Sequence, residues 1–197
     1  IYDIGSNNAD YSLLFNEIYS KANIFSFEPN PELYKIASTN TKKFSNIEII
    51  KKAVGNSNTI KDLKIDQNSS LTTTLSTSNK SSNTYKIKKF LYGENPQKTV
   101  KINIIKLDSF INKNNIPDFV KIDVEGFEEE VLKGLQKNIK KIKLVMIEFH
   151  FDKLYKGYST TRLNDYFKKN NFKLIKSIKF PILNWEDRFY LNKTNEL

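Results

Sequence analysis

Apolar residues in this chain fall into short, nearly continuous runs separated by stretches of helical spacing. Ile1 to Gly5 opens as a strand, and Tyr11, Leu13, Leu14, Ile18 and Tyr19 then recur at roughly helical intervals. Ala22 to Phe27 reads as a second strand, and Pro31 sits where a first helical turn accepts it, so that Leu33, Ile36 and Ala37 are expected to face inward. Ile47 to Val54 gives a third strand, halted by Gly55 and Asn56. Strand, helix, strand, helix, strand is half of a doubly wound parallel sheet, and right-handed crossovers would put all its strand ends on one side.

Periodicity weakens from Ser57 to Thr99, and Ser69 to Thr84 is Ser, Thr and Asn apart from Leu71, Leu75 and Lys80. Residues 57–99 are therefore expected to form an insertion or lid, with small strands at Ile60–Ile65 and Tyr85–Leu91. Val100 to Leu107 reads as a half-buried strand, and Asp108 as the cap of a short helix. Phe119 to Asp123 is the next buried strand, and the helix after Glu125 turns Val131, Leu132 and Leu135 inward. Glu128, Glu129 and Glu130 suit its positive amino end. Ile142–Phe149, a helix at Thr161–Lys169, and strands at Phe172–Phe180 and Arg188–Leu191 complete an antiparallel edge. The expected architecture is α/β, a doubly wound, mainly parallel sheet with helices on both faces, in a single domain over 1–197.

With 197 residues, 39% of them hydrophobic, the chain can bury one core of this kind. It has no Cys, which removes thiolate nucleophiles, disulfides and thiolate metal sites, and its one histidine excludes an all-imidazole site. The net charge of +10 is spread from Lys21 to Lys193, a solvated surface that disfavours nucleic acid as a partner. No run approaches the length of a membrane span and no signal peptide is legible, so a cytoplasmic protein is expected. A strand beginning directly at Ile1, without Met, reads as part of a longer product.

The informative residues stand at the ends of the strands. Asp3, Gly5, Asn7 and Ala9 occupy the first strand-to-helix turn, which has too few glycines for a dinucleotide fingerprint and an acid that would repel a pyrophosphate. Glu28 closes the second strand, where a carboxylate can accept both hydroxyls of a ribose. Asp3 and Glu28 together describe a ligand with an adenosine and a cationic amino-acid end, S-adenosylmethionine.

With Asp3-Ile4-Gly5-Ser6-Asn7, Phe27-Glu28-Pro29-Asn30-Pro31, Ala53-Val54-Gly55, Leu107-Asp108 and Lys121-Ile122-Asp123-Val124-Glu125-Gly126-Phe127-Glu128, the chain resembles the FkbM-type methyltransferases over about its first 150 residues. The resemblance implies a seven-strand class I methyltransferase fold and methyl transfer to an oxygen of a sugar or other small metabolite. It also implies donor contacts at Asp3, Gly5, Ser6 and Asn7, at Glu28, Pro29 and Asn30, and at Ala53 and Val54. Ala9 departs from the pattern, since such families commonly place glycine there.

Attack on an activated sulfonium needs alignment and removal of the acceptor proton. Asp123 is expected to orient the acceptor or take its proton, Glu125 to orient it, and His150 to reach the same cleft. Asp123, Glu125, Glu148 and His150 could also surround a divalent ion, but their spacing leaves that geometry open and no metal ligand is assigned. Trp185 and Tyr190 could stack on a sugar, though packing is the better reading. The expected partner is a hydroxyl acceptor, small molecule or glycan. The alternatives are a catalytically silent donor-binding or protein-interaction domain and, more weakly, a nucleic-acid methyltransferase.

Overall fold

The computed structural model describes residues 1–66, 74–92, 97–180 and 184–195. In chain order its elements are β1 (Tyr2–Ile4), α1 (Asp10–Ile18), β2 (Ile24–Phe27), α2 (Pro31–Thr41), β3 (Ile47–Ile50), β4 (Ala53–Gly55), β5 (Thr59–Asp66) and α3 (Asn83–Tyr92). Then come β6 (Gln97–Lys106), α4 (Leu107–Phe110), β7 (Phe119–Ile122), α5 (Glu128–Lys133), β8 (Leu144–His150), α6 (Thr160–Lys169), β9 (Phe172–Lys179) and β10 (Trp185–Asn192).

Seven strands form one sheet in the order β3-β2-β1-β7-β8-β10-β9. The first five are mutually parallel; β10 runs antiparallel to both β8 and β9. This seven-strand, mostly parallel α/β sheet is the arrangement that the resemblance implies. From β1 the chain walks outward to β3, then returns to lay β7 on the other side of β1. That reversal opens a crevice at the carboxyl ends of β1 and β7, where ligands of open α/β sheets bind.

The strands read as apolar runs because they are covered on both faces. Tyr2, Ile4, Phe27, Val120, Ile122, Val145, Ile147 and Phe149 are all essentially inaccessible, each burial stabilising by about 1.5–3 kcal/mol. Val131, Leu132 and Leu135 are buried as expected. Tyr190 stacks on Phe167 with ring centroids 3.9 Å apart, so it packs the core, and Trp185 lies against Phe180.

Several expectations need correction. The third run breaks at Lys51-Lys52: β3 stays in the main sheet, while β4 joins β6 and β5 in a separate three-stranded sheet. The strand expected at Val100–Leu107 therefore belongs to that small sheet. Ile60–Ile65 is a strand, but Tyr85–Leu91 lies in helix α3, where the Ser82 hydroxyl accepts the Tyr85 amide at 3.1 Å and Lys88-Lys89 spoil any alternation.

In α1 the buried positions are Ser12 and Phe15, whereas Leu14, Ile18 and Tyr19 are exposed, as is Ile36 of α2. A polar side chain faces inward on α1 because it has a partner there: the Ser12 hydroxyl donates to Asp3 at 2.6 Å and lies 2.7 Å from Ser26 Oγ. Asp108 does not cap α4; its carboxylate accepts the backbone amides of Lys137 and Asn138 instead. Leu71 of the expected lid lies outside the described residues, and no helix among the described residues is long and apolar enough to cross a membrane.

Candidate active site

An open cleft of about 720 Å³, part of it continuous with solvent, sits over the crevice between β1, β2 and β7. Gly5, Asn7, Glu28, Pro29, Ala53 and Val54 line it on one side, and Asp123 and Glu125 on the other. The turn after β1 is built by backbone: the amides of Gly5 and Ser6 both donate to Phe27 O, and the Asp123 amide donates to Ile4 O at 3.0 Å. Gly5 has φ +79°, and a Cβ there would lie 1.8 Å from Asp123 O, so only glycine lets the two strand ends approach this closely.

Ala9 also adopts φ 73° and is fully buried outside the cleft lining. The position where FkbM-type sequences commonly carry glycine is thus one that requires left-handed backbone. The extra methyl strains the turn and leaves the cleft unchanged.

Glu28 is 4% exposed. One of its oxygens accepts the Asn7 amide at 2.9 Å and the other the Asn30 amide at 2.8 Å. Each oxygen keeps a lone pair free for a ligand hydroxyl. Burial pushes its carboxyl up to about 7, and the two amides and Lys121 oppose that rise. Asn30 caps α2 by accepting the Glu32 amide and does not face the cleft.

Asp3 is placed beneath the turn, not in the cleft. It is fully buried, bonded by Ser12 and paired with Lys121 Nζ at 3.3 Å. Ser6 is likewise buried under the turn. Lys121, which sequence reasoning missed, ties the two sides together. Its ammonium also pairs with Asp123 at 3.2 Å, donates to Gly5 O at 3.0 Å and lies over the Tyr11 ring. Burial favours the neutral amine, but Asp123 and Asp3 outweigh it and hold the lysine above its ordinary range. The available signal was a lone cation inside an apolar strand, flanked by two strand-ending acids.

The loop after β7 is shaped by Glu128, whose Oε1 accepts the amides of Val124 and Gly126. That bond fixes Glu125 at φ 53° and Gly126 at φ 90°, and the Tyr155 ring packs where a Cβ on Gly126 would stand. The Tyr155 hydroxyl donates to Glu125. Asp123 is the open member of the group, its side chain 36% exposed. It stands close to Glu148 on β8, whose carboxyl is driven up to about 9 by burial and then by Asp123 and Asp187.

Asp187 stands directly across from Glu148 in the β8–β10 pair, and burial together with Asp123 raises it to about 6. Glu125 is raised to about 7 by burial and by Glu148. His150 is 5% exposed, sits edge-on to Tyr155 and Tyr158, and lies behind Glu148 instead of lining the cleft.

The sequence matches the methyltransferase FkbM domain over residues 3–174. The chain belongs to the FkbM methyltransferase family. It is 26% identical over 152 residues to the hexuronic acid methyltransferase AglP of Haloferax volcanii, a match covering 76% of this chain and 55% of that protein. The chain thus spans about half the length of this curated relative.

Among solved structures, an FkbM methyltransferase from Methylobacillus flagellatus KT superposes with a TM-score of 0.61 at 14% identity, over 96% of this chain and 42% of that one. TrmK of M. capricolum, solved with S-adenosyl-homocysteine, superposes with a TM-score of 0.54 at 15% identity, over 98% of this chain and 61% of that one. At these identities the superpositions establish the fold of this FkbM-family chain.

Proposed function

We propose that this FkbM-family chain transfers a methyl group from S-adenosylmethionine to a hydroxyl of a sugar, with hexuronic acids the first acceptors to test. The observation that carries the reading is the cleft itself: Glu28, with one free lone pair on each oxygen, faces the partly exposed Asp123 across a glycine turn. The sugar class is suggested by the printed activity of the Haloferax relative.

In this reading Glu28 accepts the two ribose hydroxyls. Val54, Leu75 and Phe127 supply the apolar wall for the adenine, and the Gly5–Asn7 turn passes beneath the methionine end. The donor supplies an activated methyl on a sulfonium and leaves as the thioether S-adenosylhomocysteine.

The protein's own work is positional and protolytic. Asp123 accepts the acceptor's hydroxyl proton as the oxygen bonds to the methyl carbon. Lys121 holds that carboxylate in place through its ion pair. Glu125, gripped by Tyr155, orients the acceptor. The described part of the 57–99 insertion around Leu75 serves as a cover, a role supported by Leu75 at the cleft and by the Thr74 hydroxyl donating to Glu125 O at 2.6 Å.

Incubation with methyl-labelled donor and a panel of hexuronic acids, neutral sugars and RNA tests the proposal. Label in a uronic acid or sugar is the expected result. Donor binding with no transfer would favour a silent domain, and label in RNA alone would overturn the sugar reading.

A further inference from the structure

Five carboxyl groups gather where β7, β8 and β10 meet: Asp123, Glu125, Glu128, Glu148 and Asp187. Among the described residues, one ammonium and one imidazole stand with them. Lys121 is engaged by Asp3 and Asp123, which leaves His150 for the remainder. Glu128 has committed one oxygen to the loop amides, and Asp187 faces Glu148 across an antiparallel pair, where like charges oppose each other.

Glu125, Glu148 and His150 each present one ligand atom, and these atoms all lie within 4.8 Å of one another. His150 Nε2, on a side chain 95% removed from solvent, makes no hydrogen bond, and neither does Glu148 Oε2, although the two atoms are 3.0 Å apart. A buried imidazole nitrogen and a carboxylate oxygen at this distance, close enough to pair if the imidazole is protonated, also have the separation of neighbouring ligands on one cation, about 3 Å for bonds of about 2.1 Å.

We propose that Glu125, Glu148 and His150 bind one divalent first-row cation at the acceptor end of the cleft. Two carboxylate oxygens and one imidazole nitrogen make a mixed set that fits Mn²⁺ better than the all-oxygen preference of Mg²⁺ or the thiolate preference of softer ions. Tyr155 would hold Glu125 as a second layer. Binding stands apart from the methyl-transfer reading. Its consequence rests on that reading: beside Asp123, the cation would lower the pKa of the acceptor hydroxyl.

Mn²⁺ titration followed by electron paramagnetic resonance tests the site without donor or acceptor. The expected result is one saturable Mn²⁺ per chain carrying nitrogen-coupled spin-echo modulation, which His150→Ala abolishes. Affinity should fall about tenfold or more in the near-isosteric Glu148→Gln, whose fold is checked by circular dichroism. No saturable binding up to about 1 mM, a range that corresponds to about 4 kcal/mol, would overturn the proposal. So would equal affinity in folded Glu148→Gln, or bound Mn²⁺ without nitrogen coupling in the wild type. A positive titration with no methyl transfer would leave the metal site standing and count only against the proposed reaction.

Discussion

At the β2 end of the cleft, Glu28 is buried with a backbone amide on each oxygen; at the β7–β8 end, Glu125 is half-buried among Asp123, Glu148 and the Tyr155 hydroxyl. Both carboxyls are pushed up to about 7, with burial as the first cause in each. What differs is the second influence. For Glu28 it is the amides, which favour the ionised form, and for Glu125 it is another carboxylate, which opposes it. Fixed donors hold the first carboxylate in advance, so a neutral group with two hydroxyls, such as a ribose, fits it. The second is completed only by a proton or a cation, which suits a place where a proton must be received.

The strongest way to break this contrast is to remove the lysine that spans both ends. Lys121→Met should lower stability by about 3–5 kcal/mol in urea denaturation, because Asp3 would stay buried with its charge uncompensated. A loss below about 1 kcal/mol would mean that the pair does not hold the turn. Asp123→Asn should depress turnover by about a hundredfold, roughly 2.7 kcal/mol of barrier, while donor affinity stays within about twofold. Equal turnover would remove Asp123 from proton transfer.

The pH dependence of donor binding sharpens the same comparison. Ribose hydroxyls donate to the ionised form of Glu28, whose carboxyl titrates at about 7 in the free protein. Donor affinity should therefore level off above about pH 7 and weaken by up to about tenfold per unit below it. Calorimetry across pH 5.5–8.5 checks this (both limits approximate), and Glu28→Gln should flatten the profile. The smallest effect belongs to the turn beside it: Ala9→Gly relieves a left-handed alanine and should stabilise the protein by about 0.5–1 kcal/mol, with donor affinity unchanged.

Much of this was legible in the chain because a buried parallel strand ends abruptly. Gly5, Glu28 and Asp123 mark where apolar runs stop, and the fold brings all three to one edge. Lys121 and Ser12 were not legible in that way. Each is a polar residue in an apolar element, and its reason for being there, the Asp3 carboxylate, is supplied by a different strand or helix. Asp3 was read as a ligand contact for the same reason, since nothing local reveals that its charge is already satisfied from below. The cap misassigned to Asp108 shares that origin, since its carboxylate is taken by the distant Lys137 amide, whereas the strand misread at Tyr85–Leu91 overlooked a local signal, the Ser82 hydroxyl that accepts the Tyr85 amide at the start of the helix. His150 was expected to reach the cleft, but β8 buries it beside Glu148.

Calorimetric titration of S-adenosylhomocysteine into the wild type, Glu28→Ala and Asp123→Asn tests the division of labour most directly. Glu28→Ala should weaken binding by about 1–3 kcal/mol, roughly five- to 150-fold, while Asp123→Asn binds like the wild type. Unchanged affinity in a folded Glu28→Ala, or a loss confined to Asp123→Asn, would contradict the placement of the donor at the β2 end.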